Sequence, residues 1–365
     1  MADYYVNLDI STSGAAGTVG DPLGYDEFPV YFVNNELGAS NYFLSGSHHY
    51  DDIQYLNTQN AGNVVVESAT ATPARIRVTS TASENMRSVI RPDIGMSSLT
   101  LRRLVIECDN GSAYSQGMSA GGVIIENCVL ISYNKPTFTG NFGPTPVTLK
   151  GSSFVNKGVK AYNIINASSA GSNTFIMDSC YLEGRADYAF ACGGNVASSY
   201  FRNCAFYGNP DLISIQGPFS EIPDGGNNVG QGFDGNPLLP ALPTQYVNIG
   251  HVNLMTYPDD LMVIAESVLI DTGNASLGLS VDLFGVDRGL NPNIGAVELV
   301  GEPGPEPVTC WKYTARYMGS NRMFVANGGG KYPSELKVPG NVDISTGRMI
   351  DEGQLIDPNE FRIIQ

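Results

Sequence analysis

Five segments of this 365-residue chain repeat one pattern: a short apolar run, a small residue, then a second apolar pair. They lie at 104–108, 124–130, 149–155, 176–182 and 201–206. Aligned on their small residues, Cys108, Cys128, Ser153, Cys180 and Cys204 stand 20, 25, 27 and 24 residues apart. A poorer sixth copy spans 263–269. One such unit is too small to bury its apolar face. Stacked about 4.8 Å apart, the units pair each strand above and below and build one continuous core. The expected fold is all-β, a parallel β-helix (a solenoid) with a small C-terminal β module. One inward position then recurs on every coil, so Cys108, Cys128, Ser153, Cys180 and Cys204 read as a core ladder of structural residues. A disulfide within such a stack needs a Cα separation that unbroken pairing rarely supplies.

Composition agrees with short strands and turns. Charged residues make up 15%, Gly numbers 42 and Pro 21, while 42% hydrophobic content suffices for a core. The 36 acids against 20 bases give a formal charge of −16, which argues against nucleic acid as a partner. No apolar run reaches eighteen residues, so no membrane partner is expected, and the first residues lack the basic and apolar regions of a Sec signal. The six cysteines contain no CxxC pair, which weakens any zinc reading and suits thiols kept reduced in a cytosolic site of synthesis.

The first hundred residues read as an N-terminal cap and early coils. Tyr4-Tyr5-Val6-Asn7 opens as a strand, and Phe28-Pro29-Val30-Tyr31-Phe32, 42–46, 64–67 and 75–78 continue as strands. Residues 208–262 are rich in Gly, Asn and Pro and read as a long excursion before the last coils. At 299–309 the Gly/Pro alternation reads as a semi-rigid linker. Beyond it, residues 310–365 carry seven bases and six acids, so the acidity sits almost wholly in the β-helix. The expected organisation is 1–298 β-helix with its cap, 299–309 linker, and 310–365 a docking module.

Within 227–298, five pieces occur in order: Asn227-Asn228, Asp234-Gly235-Asn236-Pro237-Leu238, 266–274 ending Ile270-Asp271-Thr272-Gly273-Asn274, Asp282-Leu283-Phe284-Gly285-Val286-Asp287-Arg288, and Asn293-Ile294-Gly295-Ala296-Val297-Glu298. This order resembles the C-terminal part of the choice-of-anchor Q type of β-helix protein. The earlier coils resemble pectin-lyase-like β-helices in general form. The resemblance implies a right-handed parallel β-helix and says little about activity. Asp271, Asp282 and Asp287 lie at turns, where carboxylates cap backbone N–H groups, and Arg288 is expected to pair with one of them. A bound calcium at these aspartates is the alternative; otherwise no cofactor or metal is expected.

The segment 180–190 is similar to the nucleophile coil of pectin methylesterases and would put Asp187 at the nucleophile. That chemistry also needs a second acid, an oxyanion donor and an arginine. The upstream coil 159–165 has no acid, so Asp187 reads as a turn residue and no catalytic residue is assigned. Asp51-Asp52 and Asp259-Asp260 are adjacent pairs whose side chains would diverge on a strand. His48-His49-Tyr50-Asp51-Asp52 reads as a solvated turn rather than a metal site, His251 stands apart, and 328–331 lacks the phosphate-loop frame. Tyr and Phe could stack on sugars or in the core.

The C-terminal module holds Trp311, Tyr313, Tyr317, Phe324, Arg348 and Phe361 on short predicted strands and is too small for much core of its own. It resembles terminal modules on structural proteins of tailed phages, which anchor a projecting rod. The alternative is a cap folding back on the same chain. The expectation is a non-enzymatic virion structural protein, a capsid decoration, head fibre or tail appendage. Its expected partners are other virion proteins, further copies of itself (a trimer in many phage β-helices) and a host-surface glycan. The alternative class is a polysaccharide-binding or polysaccharide-degrading β-helix of tailspike type.

Overall fold

The computed structural model describes residues 2–231 apart from short stretches of interstrand loop, residues 245–246, residues 269–298 apart from 275–278 and 283, and seven short strands between 313 and 364. The chain divides into two units, 1–299 and 300–365. The larger is a parallel β-solenoid. Its strands fall into three sheets of ten, nine and seven strands. Successive strands of one winding enter different sheets, and each sheet pairs strands in parallel with those of the next winding.

The true repeat lies one residue before the small residue of most copies. Arg103, Asn127, Gly151, Ser179, Asn203 and Asn227 all have φ between 50° and 57°, the left-handed region, at the corner between the first and second sheets. Their spacings are 24, 24, 28, 24 and 24. Asparagine and glycine tolerate that conformation best, which explains three of the six as Asn and one as Gly. The corner N–H donates to a carbonyl of the next winding: Asn127 to Lys150, Gly151 to Asp178, Ser179 to Arg202, at 2.9–3.0 Å.

The residue after each corner points inward: Leu104, Cys128, Ser152, Cys180, Cys204, Asn228. The bend interrupts the backbone ladder, and the polar side chains among them, Ser152, Cys180 and Asn228, bond backbone groups of the neighbouring winding. Ser152 Oγ accepts from Cys128 N–H (3.0 Å) and Asn228 Oδ1 accepts from Cys204 N–H (3.0 Å). Asn228 Nδ2 donates to the Phe201 carbonyl (2.8 Å), and Cys180 Sγ reaches the Leu149 carbonyl (3.3 Å). Small polar side chains recur here because a buried N–H or C=O left unpaired costs about 1–3 kcal/mol.

Two members expected on this ladder stand elsewhere. Cys108 pairs with Val78 and Ser132 at the far end of its strand, the inward column of the second corner. Ser153 pairs with Val129 and Tyr181 and belongs to an outward column. The ladder positions are Leu104 and Ser152 instead. Cys108, Cys128, Cys180 and Cys204 are buried free thiols.

The core is aliphatic along the first two sheets and aromatic near the third. Tyr114 and Phe138 stack at 4.8 Å, and Phe175, Phe190 and Phe201 follow edge to face, all buried. The N-terminal end is closed by a helix, Phe28–Asn34, where a strand was expected. Phe28 and Phe32 lie one helical turn apart and both pack on Tyr42, while Val30 faces solvent. Pro29 is tolerated in the first helical turn, where its missing N–H would have no partner. A helix across the stack covers what a further strand would leave as an open edge.

Residues 269–298 do not form further coils. Among their described residues only the isolated bridge Val281–Asp287 is β. They lie as a strap on the outer face of the second sheet. Leu269, Ile294, Ala296 and Val297 cluster with the outward side chains Val105, Val129, Ile131, Val155, Tyr181 and Ala205. This is why strands such as Leu104–Cys108 are buried on both faces.

Residues 300–365 form two antiparallel sheets. Tyr313–Tyr317 is the central strand between Met323–Ala326 and Phe361–Ile364, and four short strands between Lys337 and Ile356 form the other. Register sets Tyr317 opposite Phe361, Ala315 opposite Phe324, and Asp343 opposite Arg348, while Tyr313 faces Ala326. Trp311 lies outside the described residues, as do Asp52, Asp187, His251, Asp259, Asp260, 263–268 and 328–331.

Candidate functional site: the outer face of the second sheet

Parallel in-register pairing turns the outward residues of the second sheet into columns about 4.8 Å per step. One column runs His49, Arg77, Glu107, Ile131, Val155, Glu183. Beside it, at the strand ends, lie Asp109, Tyr133 and Lys157. In a chain poor in charge, this is a concentration of ionisable groups beside the strap.

Glu107 is its centre, with only 2% of its side chain exposed. Arg75 Nη2 lies 2.5 Å from Oε2, Tyr133 donates to Oε1 at 2.7 Å, and Arg77 Nε stands at 3.9 Å. Burial opposes ionisation of Glu107. The hydrogen bonds from Arg75 and Tyr133, with the charges of Arg75 and Arg77, outweigh it and hold the carboxyl below the ordinary glutamate range. Arg77 also reaches Asp109 at 3.1 Å, and Thr79 donates to Asp109 at 2.6 Å. That donation leaves Thr79 Oγ1 to accept from His49 Nε2 at 2.6 Å, so the network assigns the hydrogen to Nε2.

Farther along, Lys157 Nζ sits 5.8 Å over the Tyr133 ring. Burial pulls its ammonium down from the ordinary lysine value, against the opposing pull of Glu107 and Glu183. Burial pushes Glu183 up, although Tyr181 donates to it at 2.7 Å. Neither Tyr133 nor Lys157 carried any signal in the sequence. Only the register brings them beside a glutamate some fifty or fewer residues away in the chain.

The exposed rim of this patch, His49 and Arg77, can meet a ligand's hydroxyl or charged groups; Glu107, 2% exposed, is sealed beneath it. Glu107 and Glu183 are three ladder steps apart, about 14 Å between backbones, farther than the about 5–9.5 Å at which a glycosidase's two carboxyls work. His48 is not a solvated turn residue: it lies on strand Ser47–Asp51, stacked 3.7 Å from Tyr25 and edge-on to Tyr50.

The strap aspartates behave differently from one another. Asp282 is buried, and its carboxylate accepts three backbone N–H groups: Phe284 (2.8 Å) and Val286 (2.9 Å) on Oδ1, Glu298 (2.9 Å) on Oδ2. Burial still pushes its pKa up, with those hydrogen bonds opposing. Asp271 and Asp287 are exposed, Asp271 in the left-handed region and Asp287 on the isolated bridge. Arg288 pairs with Glu298 (2.8 Å) rather than with either aspartate, and donates to the carbonyls of Asn293 and Gly295. A carboxylate filled with N–H donors is the inverse of a calcium ligand. Among the described residues no three acidic, His or Cys side chains gather where they could hold a metal.

The strap is held by the corner asparagines. Asn203 Nδ2 donates to the Asn274 carbonyl and its Oδ1 accepts from Asn274 N–H, both at 3.1 Å. Asn127 Nδ2 donates to the Val281 carbonyl at 3.1 Å, and Gly295 N–H donates to the Asn203 carbonyl at 2.8 Å. No protein-family model matches the chain, and no curated protein matches it.

Proposed function

We propose that this chain is a non-enzymatic structural protein of a tailed-phage virion, a β-solenoid projection fixed through residues 310–365. The observation that carries the non-enzymatic part is the commitment of buried carboxylates to the fold itself. Asp282 holds three backbone N–H groups, Asp178 holds Arg202 (3.0 Å), Glu298 holds Arg288 and Asn293 N–H, and Glu107 holds Arg75 and Tyr133. The separate small C-terminal unit supports the attachment part. Mass spectrometry of purified particles from a producing lysate tests the reading: stoichiometric presence supports it, and absence from the particle overturns it. Deletion of 310–365 is expected to leave a soluble solenoid that no longer co-purifies with particles.

A second reading, contact with a polysaccharide, is favoured by the part-exposed Arg77, Tyr133 and Lys157 at the edge of the patch. Incubation with acidic and neutral polysaccharides, followed by assay for reducing ends and unsaturated products, separates the two. Turnover would replace the structural reading with a degrading one.

A further inference from the structure

The outer face of the first sheet carries two columns that no local stretch of sequence displays. One reads Glu67, Arg102, Glu126, Lys150, Asp178, Arg202, strictly alternating in sign. Arg102 bridges to Glu67 and Glu126 at 3.7 Å each, and Arg202 to Asp178 at 3.0 Å. The other column, two residues earlier on the same strands, reads Val65, Thr100, Ile124, Thr148, Ile176, Tyr200. Ile124 is among the exposed large apolar residues.

We propose that this face binds a second copy of the chain, the two stacks running antiparallel about a two-fold axis that lies along the strands between Glu126 and Lys150. A two-fold interface must be complementary to itself. Rotation about that axis keeps each column facing its own copy and reverses its order. An alternating column of six then meets its opposite at every step: Glu67 faces Arg202, Arg102 faces Asp178, and Glu126 faces Lys150. Asp178 lies buried beneath Arg202, so the central Glu126–Lys150 pairs, present twice, carry most of the attraction. In the second column Ile124 faces Thr148, Val65 faces Tyr200, and Ile176 faces the buried Thr100, so each pair sets a larger side chain against a smaller one.

The size is adequate. Of the ten strands in the sheet, eight overlap about this axis. Eight strands of about five residues cover about 34 by 16 Å, or about 1,100 Å² over both partners, just above the roughly 1,000 Å² of a specific interface. An association of this size that leans on surface charge should be modest and salt-sensitive. The inference concerns the solenoid face alone and stands or falls separately from the virion assignment.

Sedimentation equilibrium on the full chain tests it, in about 0.05 M and about 1 M salt, the latter shortening the Debye length to about 3 Å. The expected result is a species of twice 39.0 kDa at low salt that dissociates at high salt. Glu126→Lys should weaken it about tenfold or more, because like charges then face each other at two places. Glu126→Lys with Lys150→Glu should recover most of the loss. Ile124→Asp, at a solvent-facing position, serves as a second disrupting variant should Glu126→Lys fail to fold. A monomer at both salts, a trimer, or a dimer unmoved by these substitutions would overturn the proposal.

Discussion

Replacement of Asn203 separates two physical terms that the corner combines. Asn203 sits at φ 50° and its side chain makes both 3.1 Å hydrogen bonds to Asn274 on the strap. Asn203→Gly removes the two bonds, about 1 kcal/mol each, but relaxes the backbone. Its net cost should be about 1 kcal/mol. Asn203→Ala removes the same bonds and places an alanine in the left-handed region, which costs about 1–2 kcal/mol more. Its total should approach about 3–4 kcal/mol. The order, glycine better than alanine, reverses the usual ranking by backbone entropy. Urea titration of the full chain measures the difference, with native-state hydrogen exchange at Asn274 and Gly295 as the local readout, since both amides are strap contacts of Asn203. Equal stabilities of the two variants would refute the claim that backbone conformation selects the corner residue. Unchanged exchange at both amides would refute the claim that the asparagines hold the strap.

Ser152→Ala leaves the Cys128 N–H without its acceptor in the core and should lower stability by about 1–3 kcal/mol in the same titration. Gly46, at φ 76° and directly against the Asp9 carboxylate, should tolerate no side chain, so Gly46→Ala is expected to lower the midpoint of thermal unfolding by several degrees. Glu107 has a depressed folded pKa, so its contribution is complete above the unfolded value near 4.5 and is lost as pH falls through the folded value. Stability of the native chain should therefore decline below about pH 4.5, and Glu107→Gln should flatten that decline while costing up to about 3 kcal/mol at neutral pH, which denaturation at several pH values would measure. Burial pushes the Cys108 and Cys128 thiols up to about 12, so both should resist thiol reagents at pH 8 until the chain unfolds, as peptide mapping after labelling would reveal.

The repeat was legible because stacking demands the same inward environment on successive windings, and Cys128, Cys180 and Cys204 meet it with the same residue. It was misaligned at Cys108 and Ser153 because the conserved quantity is a backbone conformation. Arg103 and Gly151 occupy the same corner as Asn127 without resembling it. The helix at 28–34 was hidden for a related reason: its apolar residues suit a strand equally well, and the need to cover the end of the stack decided between them.

What the amino-acid order makes legible by itself is the solenoid, since short apolar runs with a small residue between them, repeated at a period in the twenties, bury their faces by stacking. It does not settle that strands such as 104–108 are buried on both sides, because their outward set is Val105 and the charged Glu107. Tertiary structure alone decides what lies against them. The strap at 269–298, the Glu107–Tyr133–Lys157 patch and the alternating column from Glu67 to Arg202 join residues 24 to over 150 positions apart. Their meeting depends on register and on the path of a chain end, and no local propensity encodes either.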